Sequence, residues 1–180
     1  MKKNLLIVFM FSIALVGFGQ RITKNVTDDF TGGKVIYTSW ETLSLGNIIT
    51  GTNHLFFRFR YENNMVYFHL KWITGDVTSI DKGAKLIFKF NNDSLSTLYS
   101  LAYTLSGSTR IGGIINRSIP DNQIIDGIYI GDDMRKFMTN DYPVKMRIYT
   151  TSGYVDMKLD KSDAEKIKKA YLLLYVAMSK

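Results

Sequence analysis

The stretch HLFFRFRYENNMVYFHLKWIT, residues 54–74, constrains this chain more than any other. Apolar and polar side chains largely alternate on both sides of Asn63-Asn64, a pair able to take the positive φ that a two-residue hairpin turn needs. With that turn the cross-strand partners follow. Tyr61 meets Val66, Phe59 meets Phe68, Phe57 meets Leu70 and Leu55 meets Trp72 on one face. On the other face Arg60 meets Tyr67, Arg58 meets His69 and Phe56 meets Lys71. A one-residue slip would mix the two faces, so the pattern sets register as well as strands.

Two more segments follow the same grammar. In KLIFKFNNDSLSTLYS, an Asn92-Asp93 turn places Phe90 opposite Leu95, Phe88 opposite Thr97 and Leu86 opposite Tyr99, with Lys89 and Ser96 on the outer face. In MRIYTTSGYVDMKL, a Ser152-Gly153 turn pairs Thr150 with Val155, Ile148 with Met157 and Met146 with Leu159 inside, leaving Arg147, Tyr149, Asp156 and Lys158 outside. Lys34 to Leu43 predicts one strand, the Ile-rich stretch around Pro120-Asp121 two short ones, and Asp132 to Met138 a short helix capped by Asp132. Residues 78–83 and Gly107 to Gly113 read as loops.

The chain closes on a helix. Ser162-Asp-Ala-Glu165 matches a capping box, and Asp160 is a rival cap two residues earlier. Ala164, Ile167, Tyr171, Leu174, Tyr175 and Met178 recur three and four apart, the stripe of a helix packed on a sheet. Leu172, Leu173 and Val176 fall off that stripe and call for a cover of their own: a loop of the same chain, a second protomer in a homodimer, or a protein partner. The lysines crowd the first half instead of running along a whole polar face, which argues against a membrane-surface helix. These elements predict an α+β fold, mostly antiparallel β-sheet of about eight or nine strands packed by a C-terminal α-helix. A β-sandwich with an appended helix is the alternative.

At the other end, MKKNLLIVFMFSIALVGFG pairs two lysines with an apolar run from Leu5 to Val16 and a small-residue cleavage pattern. This is the form of a secretory signal peptide over residues 1–19, and it leaves residues 20–180 as a single globular β-rich domain. The run is shorter than the ~20 residues of a membrane span, so no stable membrane anchor is expected, and the expected location is periplasmic or secreted. With no cysteine among 180 residues, disulfides, thiol chemistry and zinc–thiolate sites are excluded. Stability must come from a sizeable apolar core. The formal charge of +7, or +5 without Lys2 and Lys3, favours acidic partners, but neither export nor the absence of a basic run fits nucleic acid.

The residues offer no catalytic constellation. His54 and His69 lack any zinc-binding spacing, the aspartates lack the spacing of a calcium loop, and no nucleophile elbow or phosphate loop occurs. Neither metal nor cofactor is expected. The aromatic positions of the hairpins fall mainly on the core side and read as packing. One outer surface stands apart: Arg58, Arg60, His69 and Lys71 gather there with Phe56 and Tyr67 between them. Like charges facing each other across strands cost stability unless something opposes them. A neighbouring strand supplying carboxylates would oppose them. Otherwise the face suits an anionic ligand, with Phe56 over Lys71 and Tyr67 over Arg60 as cation–π partners.

The order of DDFTGGKVIYTSWETL, IDKGAKLIFKFNNDSLSTL, GDDMRKFMTN and MRIYTTSGYVDMKL before a lysine-rich final helix resembles small exported β-rich proteins of Gram-negative bacteria that carry no assigned activity. That resemblance implies a secreted domain and carries over no catalytic residue. The functional expectation is a non-enzymatic binding or interaction domain, using the cationic hairpin face or the helix end. The alternative is a cofactor-free hydrolase acting on cell-envelope or glycan substrates through scattered carboxylates.

Overall fold

The computed structural model describes residues 19–47, 52–74, 77–109, 122–131, 134–139 and 141–180. The signal segment, the Pro120-Asp121 turn and the Asp132 cap therefore lie outside the described residues, as does most of the loop ending at Gly113. The strands are β1 (Ile22–Thr27), β2 (Lys34–Thr38), β3 (Glu41–Asn47), β4 (Thr52–Glu62), β5 (Met65–Thr74), β6 (Ser79–Ile80), β7 (Lys85–Phe90), β8 (Leu95–Ser100), β9 (Thr104–Leu105), β10 (Gly107–Thr109) and β11 (Asn122–Ile130). A 3-10 helix (Met134–Met138) separates these from β12 (Pro143–Thr150), β13 (Gly153–Lys158) and the closing helix α1 (Lys161–Met178).

Eleven strands form one antiparallel sheet in the order β1-β2-β4-β5-β11-β8-β7-β12-β13, with β3 beside β4 and β10 beside β11; β6 and β9 pair separately. The fold is thus α+β: an antiparallel sheet with one C-terminal helix packed on it. Helix α1 touches β1 to β4 at one end of the sheet and β12 near the other. To reach both, the sheet curls around the helix, as twisted sheets of this width do.

The β4–β5 hairpin has the register that the alternation predicts, from Leu55 opposite Trp72 through Arg60 opposite Tyr67 to Tyr61 opposite Val66. Asn63 and Asn64 both hold positive φ, 51° and 60°, which matches a turn that follows the twist of the strands. The other two hairpins correct the sequence reading. In β7–β8 the pairing is slipped by one, with Leu86 opposite Leu98, Phe88 opposite Ser96 and Lys89 opposite Leu95. The turn holds three residues, and Asp93 takes φ +63° at its last position, the geometry of a type I turn closed by a left-handed residue. Ser96 is therefore buried, and Leu95 and Tyr99 face outward.

In β12–β13 the turn is Thr151-Ser152, so Ile148 faces Val155, Met146 faces Met157 and Thr150 faces Gly153. This shift is by two, and a strand repeats every two residues, so the inner and outer sets survive. The single strand expected from Lys34 to Leu43 breaks at Ser39-Trp40 into β2 and β3, which both pair along β4. Part of the expected loop at residues 78–83 is strand β6, and Gly107–Thr109 is strand β10.

Inside the curl, Phe59 packs its ring 5.1 Å from Tyr171 of α1, 5.4 Å from Phe68 and 6.1 Å from Phe137 of the 3-10 helix, and Phe137 lies 5.0 Å from Phe88. The short helix predicted near residue 137 thus places one aromatic ring between sheet and helix. Each such side chain, fully buried, contributes about 1.5–3 kcal/mol.

Asp160 caps α1: it accepts from Asp163 N at 2.8 Å, and the Asp163 carboxylate accepts from Asp160 N at 3.4 Å. The Ser162–Glu165 box does not form, because Ser162 already lies within the helix. The buried stripe is Ala164, Ile167, Ala170, Tyr171, Leu174 and Ala177, while Tyr175 turns outward and Met178 is half-buried. Two of the lysines have partners of their own: Lys166 donates to Thr42 O at 3.0 Å and Lys168 to Thr139 O at 2.9 Å.

Candidate functional site

The candidate surface is the face of β2, β4, β5 and β11 turned away from the helix. Strand alternation and register build it in rows. Tyr37, Arg60 and Tyr67 form one row; Arg58, His69 and Ile128 form the next; Phe56, Lys71 and Asp126 form the third. The expected residues do meet here. The break between β2 and β3 adds one that the strand pattern missed, since Trp40 sits over this face with its ring 4.8 Å from the His69 ring.

His69 is only 6% exposed, an outer-face residue covered by that ring. Arg58 Nε donates to His69 Nδ1 at 3.0 Å. An arginine can only donate, so Nδ1 is an acceptor, and the ring proton lies on Nε2, which hydrogen-bonds the Asp126 carboxylate. Both ring nitrogens are thereby engaged. Half-burial pushes the Asp126 carboxyl upward, but the hydrogen bond from His69, the electrostatic attraction of that ring and the charges of Lys71 and Arg58 outweigh it, and the group is held below its usual range. The neighbouring strand does supply a carboxylate.

The guanidinium of Arg58 lies between two rings, 4.6 Å from the centre of Tyr37 and 4.5 Å from that of Trp40. Burial lowers its pKa from the ordinary arginine value. Beyond Nε, it makes no hydrogen bond to a described residue. Arg60 lies 5.3 Å from Tyr37 and 5.7 Å from Tyr67, so the expected Tyr67 pairing is present, and it forms an ion pair with Glu62. The expected pairing of Phe56 with Lys71 is corrected: Lys71 Nζ lies 4.6 Å over Trp40, and Phe56 stacks with His54 at 6.4 Å. Cation–π contacts of this kind are worth about 0.5–2 kcal/mol each.

The aromatic side chains of the sheet are thus not all packing. Tyr37 and Trp40 form an outward platform holding cations in place. Four cations, Lys24, Arg58, Arg60 and Lys71, meet two carboxylates, Glu62 and Asp126. Among the described residues the face keeps a positive excess even after the carboxylates are counted. Those two carboxylates are also far apart: Asp126 faces Lys71 and Glu62 faces Met65, six residues along β5, or about 20 Å. Paired glycosidase carboxylates need ~5–10 Å.

The second expected surface is the helix end. Leu172 and Val176 are exposed and Leu173 half-buried. With Gly19, Gln20, Glu41, Lys166 and Lys169 they line an open groove of about 640 Å³. No loop among the described residues closes over it. Among the described residues no three metal-ligating side chains cluster, and no helix is long and apolar enough to cross a membrane. Comparison with family models, curated proteins and solved structures finds no match to this chain.

Proposed function

We propose that this protein is a non-enzymatic binding domain, exported by its N-terminal leader to the periplasm or the outside, whose outer β4–β5 face takes an acidic saccharide. The observation that carries this reading is the position of Arg58. Two aromatic rings fix its guanidinium, His69 takes its Nε, and its two terminal NH₂ groups hydrogen-bond no described residue, which leaves them for an acceptor. A guanidinium held this way has already lost most of its rotamer freedom and can grip a carboxylate or sulfate through two parallel hydrogen bonds. Lys71 adds a second charge, and the Tyr37 and Trp40 rings offer apolar surface to the C–H side of a sugar. Recognition at an open, charged sheet face suits a polymer better than a small molecule, which needs a concave pocket.

The hydrolase alternative finds less support. His69 has both nitrogens occupied and is covered, so it lacks the free base position that general catalysis needs.

Titration calorimetry with a uronic-acid polymer and with a neutral glucan tests the proposal. The protein should bind the first and not the second, binding should weaken with salt, and an Arg58→Ser/Arg60→Ser variant that still folds should lose roughly tenfold or more in affinity. Equal binding of both polymers, or of wild type and variant, contradicts it.

A further inference from the structure

The contact between Arg58 and His69 closes only while the ring is neutral. Arg58 Nε donates to His69 Nδ1 at 3.0 Å, and a guanidinium has no lone pair to offer in return. The other ring nitrogen, Nε2, is held by the Asp126 carboxylate. The ring is buried, with Trp40 over it at 4.8 Å. A second proton on this ring has one place to go, Nδ1, and there it points straight at the Arg58 N–H.

We infer that His69 is a pH-sensitive latch for Arg58: the neutral ring locks the guanidinium between Tyr37 and Trp40, and protonation of the ring releases it. The groups around the ring set the direction. Asp126 on β11 is held below the usual carboxylate range, so it stays ionised while the ring takes its second proton, and it keeps the ring in place through Nε2. Arg58 on β4 meets the ring directly. Lys71, a neighbour on the same side of β5, packs under the same Trp40 ring at 4.6 Å and adds a further positive charge. Tyr67, the neighbour in the other direction, is engaged with Arg60, which pairs with Glu62. From β2, Tyr37 lies 4.6 Å from Arg58, and Lys24 of β1 sits on the far side of that row, 5.2 Å from the Tyr37 ring. Among the described residues Asp126 is thus the one carboxylate in contact with the ring, and it occupies the wrong nitrogen to offset a charge at Nδ1. Two cations meeting under one aromatic ring repel strongly where water is excluded. Arg58 is the group free to leave, because its terminal NH₂ groups hydrogen-bond no described residue and its Nε loses the acceptor that held it. As a control on the binding face the latch rests on the saccharide reading; the latch itself is tested without any ligand, so the two can fail separately.

Nuclear magnetic resonance of the ¹⁵N-labelled protein alone, titrated from about pH 8 to about pH 5, tests this. At the start the His69 nitrogens should show the tautomer protonated at Nε2, and the Arg58 Nε–H should give a signal protected from exchange with water. As the ring takes its second proton, the Arg58 signal should be lost and the Trp40 indole signal should shift, both with the midpoint of the His69 nitrogens, while Trp72 stays in place. Titration of His54, which stacks on Phe56 instead, should move neither signal. In a folded His69→Gln variant, whose amide oxygen accepts from Arg58 and does not titrate, both signals should be flat with pH. A ring already charged or protonated at Nδ1 at the start, a ring that takes no second proton over the range, wild-type Arg58 and Trp40 signals that ignore its protonation, or signals that still step with pH in the variant overturn the inference.

Discussion

Arg58 and His69 face each other across the β4–β5 hairpin, and the arginine Nε hydrogen-bonds the histidine Nδ1 at 3.0 Å. Two side chains that would repel as cations are thereby made complementary. The contact requires a neutral ring, and Asp126 on the next strand holds the ring proton at Nε2. The like-charge cost expected from sequence is removed by choice of tautomer and by one carboxylate 57 residues away in the chain.

Acid should loosen this arrangement. The folded state holds Asp126 below its ordinary value, so the stability it contributes is complete above the unfolded pKa of about 4 and disappears as pH falls through the lower folded value. Asp28, Asp93 and Asp156 are held low as well, mainly by hydrogen bonds from Thr31, Lys89 and Arg147. Thermal midpoints measured from pH 6 to pH 2 should therefore fall, and Asp126→Asn should fall less steeply than wild type. Parallel curves would show that Asp126 gains nothing on folding.

The Tyr129 hydroxyl is buried without a hydrogen-bond partner among the described residues, and burial alone pushes its pKa far above the usual tyrosine range. Its ring lies over Gly127, where a Cβ would come within 3.0 Å of it. Tyr129→Phe removes only the unsatisfied oxygen, so stability near pH 7 should rise or stay within about 0.5 kcal/mol. A phenol with a raised folded pKa contributes stability below the unfolded pKa of about 10 that is lost at higher pH. The variant should therefore resist alkaline unfolding better than wild type. A loss of more than about 1 kcal/mol in urea denaturation would reveal a partner for the hydroxyl.

The helix is a structural part of the core. Leu174 is fully buried under it, and Phe59 lies at the junction of sheet, 3-10 helix and α1. Leu174→Ala should cost about 2–5 kcal/mol and Phe59→Ala about 3–5 kcal/mol in denaturant titrations. Leu172→Ala, at an exposed site, should cost under about 1 kcal/mol in the monomer. Equal costs at 172 and 174 would put the helix on the wrong face.

Positive φ at Asp93 makes the three-residue turn a point of leverage. Asp93→Gly should be neutral or stabilising, although it gives up the ion pair with Lys89, because glycine pays no steric penalty there. Asp93→Val should cost about 1–2 kcal/mol. Comparison of the two variants by thermal melting checks the loop assignment, and equal melting points would refute it.

The legibility of these elements in the sequence follows the strength of local pattern. Asn63-Asn64 between two long amphipathic strands admits one register, and the sheet has that register. Around Asn91-Asn92-Asp93 two loop lengths compete, and nothing local shows that Asp93 will take the left-handed conformation, so the predicted pairing is off by one. Trp40 is hidden from local pattern for a tertiary reason. It stands at a break between strands, and only the shared edge along β4 brings its ring over His69. Asp126 likewise needs the long-range pairing of β11 with β5, which no spacing encodes. The cations of the candidate face were readable from alternation; the groups that neutralise and clamp them came from elsewhere in the chain.

The chain has two tryptophans, and they probe the central claim directly. Trp40 lies on the cationic platform, while Trp72 is buried on the opposite face of the same sheet. In a ¹⁵N-labelled protein titrated with an oligomer of uronic acid, the indole N–H signal of Trp40 should shift progressively and saturate, while that of Trp72 stays in place. The shift should vanish in Arg58→Ser/Arg60→Ser. A titration in which Trp40 never moves, or in which Trp72 alone responds, would contradict an acidic-saccharide site on this face.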